Sequence, residues 1–154
     1  MQMLAPLEIG IAVRDLARMT RFYADVLGCT RVSEVIVPAD KSRLNGLSPD
    51  GCTVVRLQTP YGERIKLLAA PSTATSERDR WLLARAGLAY LTLIIEGIDA
   101  WCARLKAQSV ALASDGPVEN RPGLWVLFFQ DPEGNVLELV EYADLASYRP
   151  DLKR

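Results

Sequence analysis

The chain contains no histidine. Histidine is the commonest metal ligand and the side chain that titrates nearest neutrality, so histidine-based zinc sites, Ser-His-Asp triads and Cys-His dyads are all excluded. Any chemistry has to come from carboxylates, lysine, tyrosine or a bound cofactor. Cysteine is scarce as well. Cys29, Cys52 and Cys102 are odd in number, far apart and outside any C-x-x-C spacing, which argues against a disulfide framework and a zinc cluster alike. They read as small core residues, because a nucleophilic thiol wants a base beside it. No stretch approaches the roughly 20 apolar residues of a membrane span, and Met1 to Pro6 lack the basic and apolar segments of a secretory signal. A soluble, cytoplasmic protein with no membrane partner is expected. Neither charge sign forms a run, and 18 basic against 19 acidic residues leave a net charge of −1, so nucleic acid is not an expected partner.

What is present is hydrophobic periodicity. The 154 residues suit one ordinary domain, which buries roughly two-thirds of its unfolded surface. From Leu7 to Arg14 apolar residues alternate, as in a half-buried strand, and Leu7, Ile9, Ile11 and Val13 are assigned to its core face. The period then changes. Between Asp15 and Leu27, Leu16, Met19, Phe22, Tyr23 and Val26 recur at helical steps, with Asp15 as N-cap and Gly28 as the stop. Three strands come next, near Thr30–Val37, Cys52–Thr59 and Glu63–Ala69, divided by turns at Ser48-Pro49-Asp50-Gly51 and Tyr61-Gly62. Residues 38–47 have no period and are assigned to a loop over one end of the sheet.

The small, polar stretch from Pro71 to Glu77 is the expected linker, and the segment after it repeats the pattern of the segment before it. Leu88–Ile95 is a strand, Ile98–Leu105 an amphipathic helix, and Val110–Ala113, Leu124–Gln130 and Val136–Tyr142 are strands, with a type I turn at Asp131-Pro132-Glu133-Gly134. The order βαβββ therefore occurs twice. The expected fold class is α+β: a single domain over 1–154, with module 1 at about 5–70, a linker at about 71–86, module 2 at about 87–143 and a tail at 144–154. A four-stranded sheet with one helix has one covered face. Pairing of the two modules into a curled eight-stranded sheet would enclose a cleft between the uncovered faces.

Glu8-Ile9-Gly10-Ile11-Ala12-Val13-Arg14-Asp15-Leu16, with Phe22-Tyr23 and Val26-Leu27-Gly28, resembles the opening of the vicinal oxygen chelate superfamily of glyoxalase I, bleomycin-resistance proteins and extradiol dioxygenases. Asp131-Pro132-Glu133-Gly134-Asn135-Val136-Leu137-Glu138-Leu139 resembles its closing motif. The resemblance implies that fold over roughly residues 5–143, and four ligand places in metal-using members. Those places fall on Glu8, Lys66, Tyr90 and Glu138. Lysine brings a positive charge where a cation would sit, and neutral tyrosine is a poor ligand for ordinary divalent metals. No tightly bound metal is expected; if a divalent metal does bind, Glu8 and Glu138 are its ligands.

Two readings of the quartet stay open. Glu8, Lys66 and Glu138 form either a satisfied ion cluster at the metal's place or a catalytic set, in which Glu8 or Glu138 acts as general base and Lys66 and Tyr90 donate to a ligand oxygen. By strand parity, Thr92 and Ile94 share the face of Tyr90, Arg64 and Leu68 that of Lys66, and Val140 and Tyr142 that of Glu138. Trp125, Phe128 and Phe129 are either core or a platform for a flat ligand, and Arg56 and Arg43 are either solvated or turned to an anion. The expected function is binding of an apolar or aromatic metabolite or drug. The alternative is a lyase, isomerase or epimerase with Lys66 or a metal as electrophile. Family members often pair, so a homodimer is expected. The tail, with Leu145, Tyr148 and Leu152, is expected to dock on its own domain or a dimer mate.

Overall fold

Alternation of apolar residues at period two, broken once in each half by helical spacing, produces two compact units. The computed structural model describes residues 3, 5–75, 82–84 and 86–152. Ser76 and Glu77 of the expected linker and Lys153 and Arg154 of the tail lie outside the described residues.

The first unit runs β1 (Glu8–Ala12), α1 (Leu16–Arg21) continuing into a π-type turn at Phe22–Val26, β2 (Thr30–Val37), α2 (Ala39–Leu44), β3 (Cys52–Gln58) and β4 (Arg64–Ala69). The second runs β5 (Leu91–Ile94), α3 (Ile98–Ala107), β6 (Val118–Arg121), β7 (Leu124–Gln130), β8 (Val136–Tyr142) and α4 (Leu145–Tyr148). Each holds a four-stranded mixed sheet, ordered β1-β4-β3-β2 and β5-β8-β7-β6. The first strand of each unit pairs parallel with the last, and the other pairs are antiparallel. The internal repeat therefore extends to topology.

In the first unit α1 packs on β3 and β4. Asp15 caps it by accepting the Arg18 N–H at 2.9 Å. Its Met19 and Tyr23 are fully buried, as are Val13, Leu57 and Leu67 of the sheet's α1 side. The helix ends by widening, with the Leu27 N–H donating to the Phe22 carbonyl at 3.3 Å, and Gly28 at φ 76° takes the left-handed conformation that stops it. In the second unit α3 packs on β7 and β8, over Leu105, Leu127, Phe129, Leu137 and Leu139, all at most 1% exposed. The start of α3 is capped from the sheet: the Glu141 carboxylate accepts the Gly97 and Ile98 N–H groups at 2.6 and 3.1 Å.

Some expectations are corrected. Leu7 precedes β1 and is 63% exposed, so it is not core. Residues 38–47 are not all loop, because Pro38, extended at ψ 158°, launches the short helix α2. The strand expected at Val110–Ala113 reduces to a bridge between Leu112 and Phe129. The regular edge strand is Val118–Arg121, exposed at all four residues; an edge strand wet on both faces leaves no alternation to detect. The tail forms α4, and Tyr148 stacks on Tyr142 of β8 at 4.1 Å between centroids and 13° between planes.

On α2, Ser42 is fully buried and its hydroxyl has no hydrogen-bond partner among the described residues. Ser42→Ala is therefore expected to leave stability unchanged or raise it by up to about 1 kcal/mol, because an unsatisfied buried hydroxyl costs more than a methyl. Urea unfolding measures it, and a clear loss of stability would show that the hydroxyl is bonded in solution.

Candidate functional site

Period two places Glu8, Gly10 and Ala12 of β1 on the face of the first sheet opposite α1. Cross-strand register adds the rest: Glu8 stands opposite Arg64, Gly10 opposite Lys66 and Ala12 opposite Leu68. On the other side of β4, Arg56 stands opposite Lys66 and Val54 opposite Leu68, while Ser33 of β2 stands opposite Arg56. A hollow of about 570 Å³ opens over this face, lined by Gly10, Ala12, Val37, Val54, Leu68 and their neighbours, with Arg56 and Lys66 among its polar residues. Gly10 and Ala12 bring little side-chain bulk to its β1 side.

Charge is uneven there. Glu8 bridges two cations, with its carboxylate oxygens 3.5 Å from Arg64 Nη1 and 3.5 Å from Lys66 Nζ, all three side chains about a third exposed. Arg64 also donates to Gln58 at 3.1 Å, and Arg56 Nη1 donates to the Ser33 hydroxyl at 3.3 Å. Of the residues selected from the sequence, the structure thus brings Glu8, Lys66, Arg64 and Arg56 onto one face. Arg43 is elsewhere engaged, donating to the Pro49 carbonyl at 2.7 Å.

In the second unit Thr92 stands opposite Glu138 and donates its hydroxyl to that carboxylate at 2.7 Å. Tyr90 precedes β5, and its ring meets Phe128 edge-on at 5.1 Å. Phe128 is Glu138's partner on β7, so Tyr90, Thr92, Phe128 and Glu138 form one group on the face opposite α3. Trp125 does not join it. Trp125 pairs with Glu141, the residue that caps α3, and alternation puts its side chain on the helix face with Phe129. A ligand against Phe128 would not meet Trp125. Tyr142 keeps the Glu138 parity of β8, as expected, and is covered there by Tyr148. Burial, with the hydrogen bond and proximity of Tyr148, pushes the Tyr142 hydroxyl up to about 12, against the opposing effect of Arg121. The tail thus contributes to a second depression of about 370 Å³, lined by Glu96, Tyr142, Leu145, Arg149 and Leu152. The three cysteines are buried and free, and burial raises the Cys29 thiol.

Sequence reasoning missed the Ser33–Arg56 contact, the Glu141 cap and the apolar wall of Val37 and Val54. A signal existed for β1, where the small residues Gly10 and Ala12 alternate with Ile9, Ile11 and Val13. The others depend on register between distant strands.

The sequence model of the glyoxalase/bleomycin resistance protein/dioxygenase superfamily matches residues 5–139. The chain belongs to this superfamily. The uncharacterized protein YaeR of Escherichia coli (strain K12) is 30% identical to this chain over 138 residues, covering 87% of this chain and 93% of YaeR. A glyoxalase family protein from Bacillus cereus shares the fold with a TM-score of 0.77 at 21% identity, over 92% of this chain and 95% of that one. The trypanothione-dependent glyoxalase I of Leishmania major does so with a TM-score of 0.68 at 21% identity, over 94% and 91%.

Superfamily members often use divalent metals, and the residues at the four places the resemblance implies, Glu8, Lys66, Tyr90 and Glu138, do not fit one. Glu8 is already ion-paired to two cations at 3.5 Å, and Lys66 would repel an incoming metal ion. Among the described residues no three acidic or sulfur side chains gather as a ligand group. The donor chemistry is that of an ion pair.

Proposed function

We propose that this glyoxalase-superfamily protein binds an apolar or aromatic small molecule without needing a tightly held metal. The observation that carries the reading is the hollow of about 570 Å³ over the first sheet, which falls in the range of about 300–1,000 Å³ of small-molecule sites and has their character, a mostly apolar lining with a few polar anchors. Val54 is buried and Leu68 half-buried in that lining, so a flat apolar body has surface to cover. The neutral aromatic probe 2-naphthylacetamide is expected to bind with one site per chain by calorimetry. Leu68→Trp, which fills the hollow, is expected to weaken it at least tenfold, about 1.4 kcal/mol. Unchanged affinity in the filled variant would refute the location. Metal content by mass spectrometry on protein purified without chelator is expected to fall well below one ion per chain.

A second reading rests on the Glu8–Lys66 pair at 3.5 Å: a carboxylate base beside an ammonium that steadies a developing oxyanion, the pairing required for a lyase or isomerase acting next to a carbonyl. Glu8→Gln and Glu138→Gln would abolish such turnover. Membership of the superfamily also supports a homodimer, which light scattering on the eluting protein measures.

A further inference from the structure

On the face of the first sheet opposite α1, three cations stand against one carboxylate: Arg56, Arg64 and Lys66 with Glu8. Glu8 is divided between Arg64 and Lys66. Arg56 meets only the neutral Ser33 hydroxyl among the described residues. Arg56 and Lys66 are directly opposed in the antiparallel β3–β4 register, where side chains stand about 5 Å apart at Cβ and like charges repel. Both line the same hollow, half-buried beside Val54 and Leu68. The neighbour of Lys66 on its other side is Gly10, which brings no counter-charge to it. A like-charged pair held at one end of an apolar recess, with too little counter-charge, matches an oxyanion in charge, and the guanidinium is suited to bind it in two-pronged fashion.

We propose that the ligand of this hollow is amphipathic and acidic: its carboxylate or phosphoryl group lies between Arg56 and Lys66, and its apolar body lies against Val54 and Leu68. The inference rests on the proposed binding function and adds the chemical class of the ligand. Glu8, which pairs with Lys66 at 3.5 Å from outside the hollow's lining, offsets part of the Lys66 charge and leaves that of Arg56 uncompensated.

The test compares 2-naphthylacetate and 2-naphthyl phosphate with the neutral 2-naphthylacetamide by calorimetry on the full chain, in the wild type and in Arg56→Gln and Lys66→Gln. Thermal unfolding confirms that each variant is folded, and Arg56→Lys serves as the charge-conserving control. At low salt the wild type is expected to prefer an acid to the amide at least tenfold, and whichever acid binds tighter assigns the headgroup. The preference ratio is expected to approach one in Arg56→Gln and Lys66→Gln, to survive in large part in Arg56→Lys, and to shrink as ionic strength rises. Equal binding of acids and amide by the wild type would overturn the inference while leaving the binding function standing. Binding of none of the three would overturn both. A tenfold preference that persisted in both glutamine variants would overturn the assignment to Arg56 and Lys66.

Discussion

Asp131→Ala is expected to destabilise the protein by about 3 kcal/mol, the upper range for loss of buried hydrogen bonds to a charged group. Asp131 is 4% exposed, and its carboxylate accepts from the Glu133 N–H at 3.0 Å, the Asn135 N–H at 2.8 Å and Asn135 Nδ2 at 2.8 Å. Alanine leaves these donors facing an apolar methyl. The backbone of the turn, closed by Gly134 N–H to the Asp131 carbonyl and by Asp131 N–H to the Asn135 carbonyl, both at 2.9 Å, would then have to hold the β7–β8 hairpin unaided. Asp131→Asn keeps an acceptor for the backbone donors but turns an amide toward Asn135, so it should cost about half as much. Urea denaturation of both variants measures the pair. Equal and small losses would show that the backbone bonds suffice and that the carboxylate is dispensable.

Neighbouring leucines on β4 are expected to behave very differently. Leu67 is fully buried on the α1 side, and Leu67→Ala should cost about 3–4 kcal/mol through lost burial and the cavity left behind. Leu68 lines the hollow and is half-buried. Leu68→Ala removes methyl groups that already border open space, so its cost should stay near 1 kcal/mol, while the affinity for an apolar probe falls. Equilibrium unfolding together with probe binding checks both halves. Similar stability losses at the two positions would mean that the face opposite α1 is packed as tightly as the helix face, and the hollow would lose its standing as a site.

That contrast also shows why part of the molecule was legible in the sequence. Period two in Glu8–Ala12, Arg64–Ala69 and Val136–Tyr142 places Lys66 apart from Leu67, and Glu138 apart from Leu139, without coordinates, because a strand's side chains alternate by geometry. Where alternation was absent, reading failed. Exposed β6, short α2 and the four-residue α4 carry no periodic apolar stripe, so their existence is decided by pairing with β7, by the Pro38 backbone and by the Tyr142–Tyr148 stack. For Trp125 and Phe128 the sequence offered aromatic candidates, and register sent them to opposite faces.

By itself, then, the sequence determined the βαβββ repeat in both halves except for the edge strand β6 of the second, together with the helix start at Asp15, the stop at Gly28, the Asp131 turn and the superfamily. Each is encoded in residues close along the chain, through period, cap and turn chemistry. Only the tertiary structure decided that Glu8 is shared between Arg64 and Lys66, that Arg56 faces Lys66 across β3 and β4, and that Glu141 caps α3. Those contacts join residues 10 to 58 positions apart, and which strands lie side by side, and in which register, depends on the free energy of the whole fold rather than on any local segment.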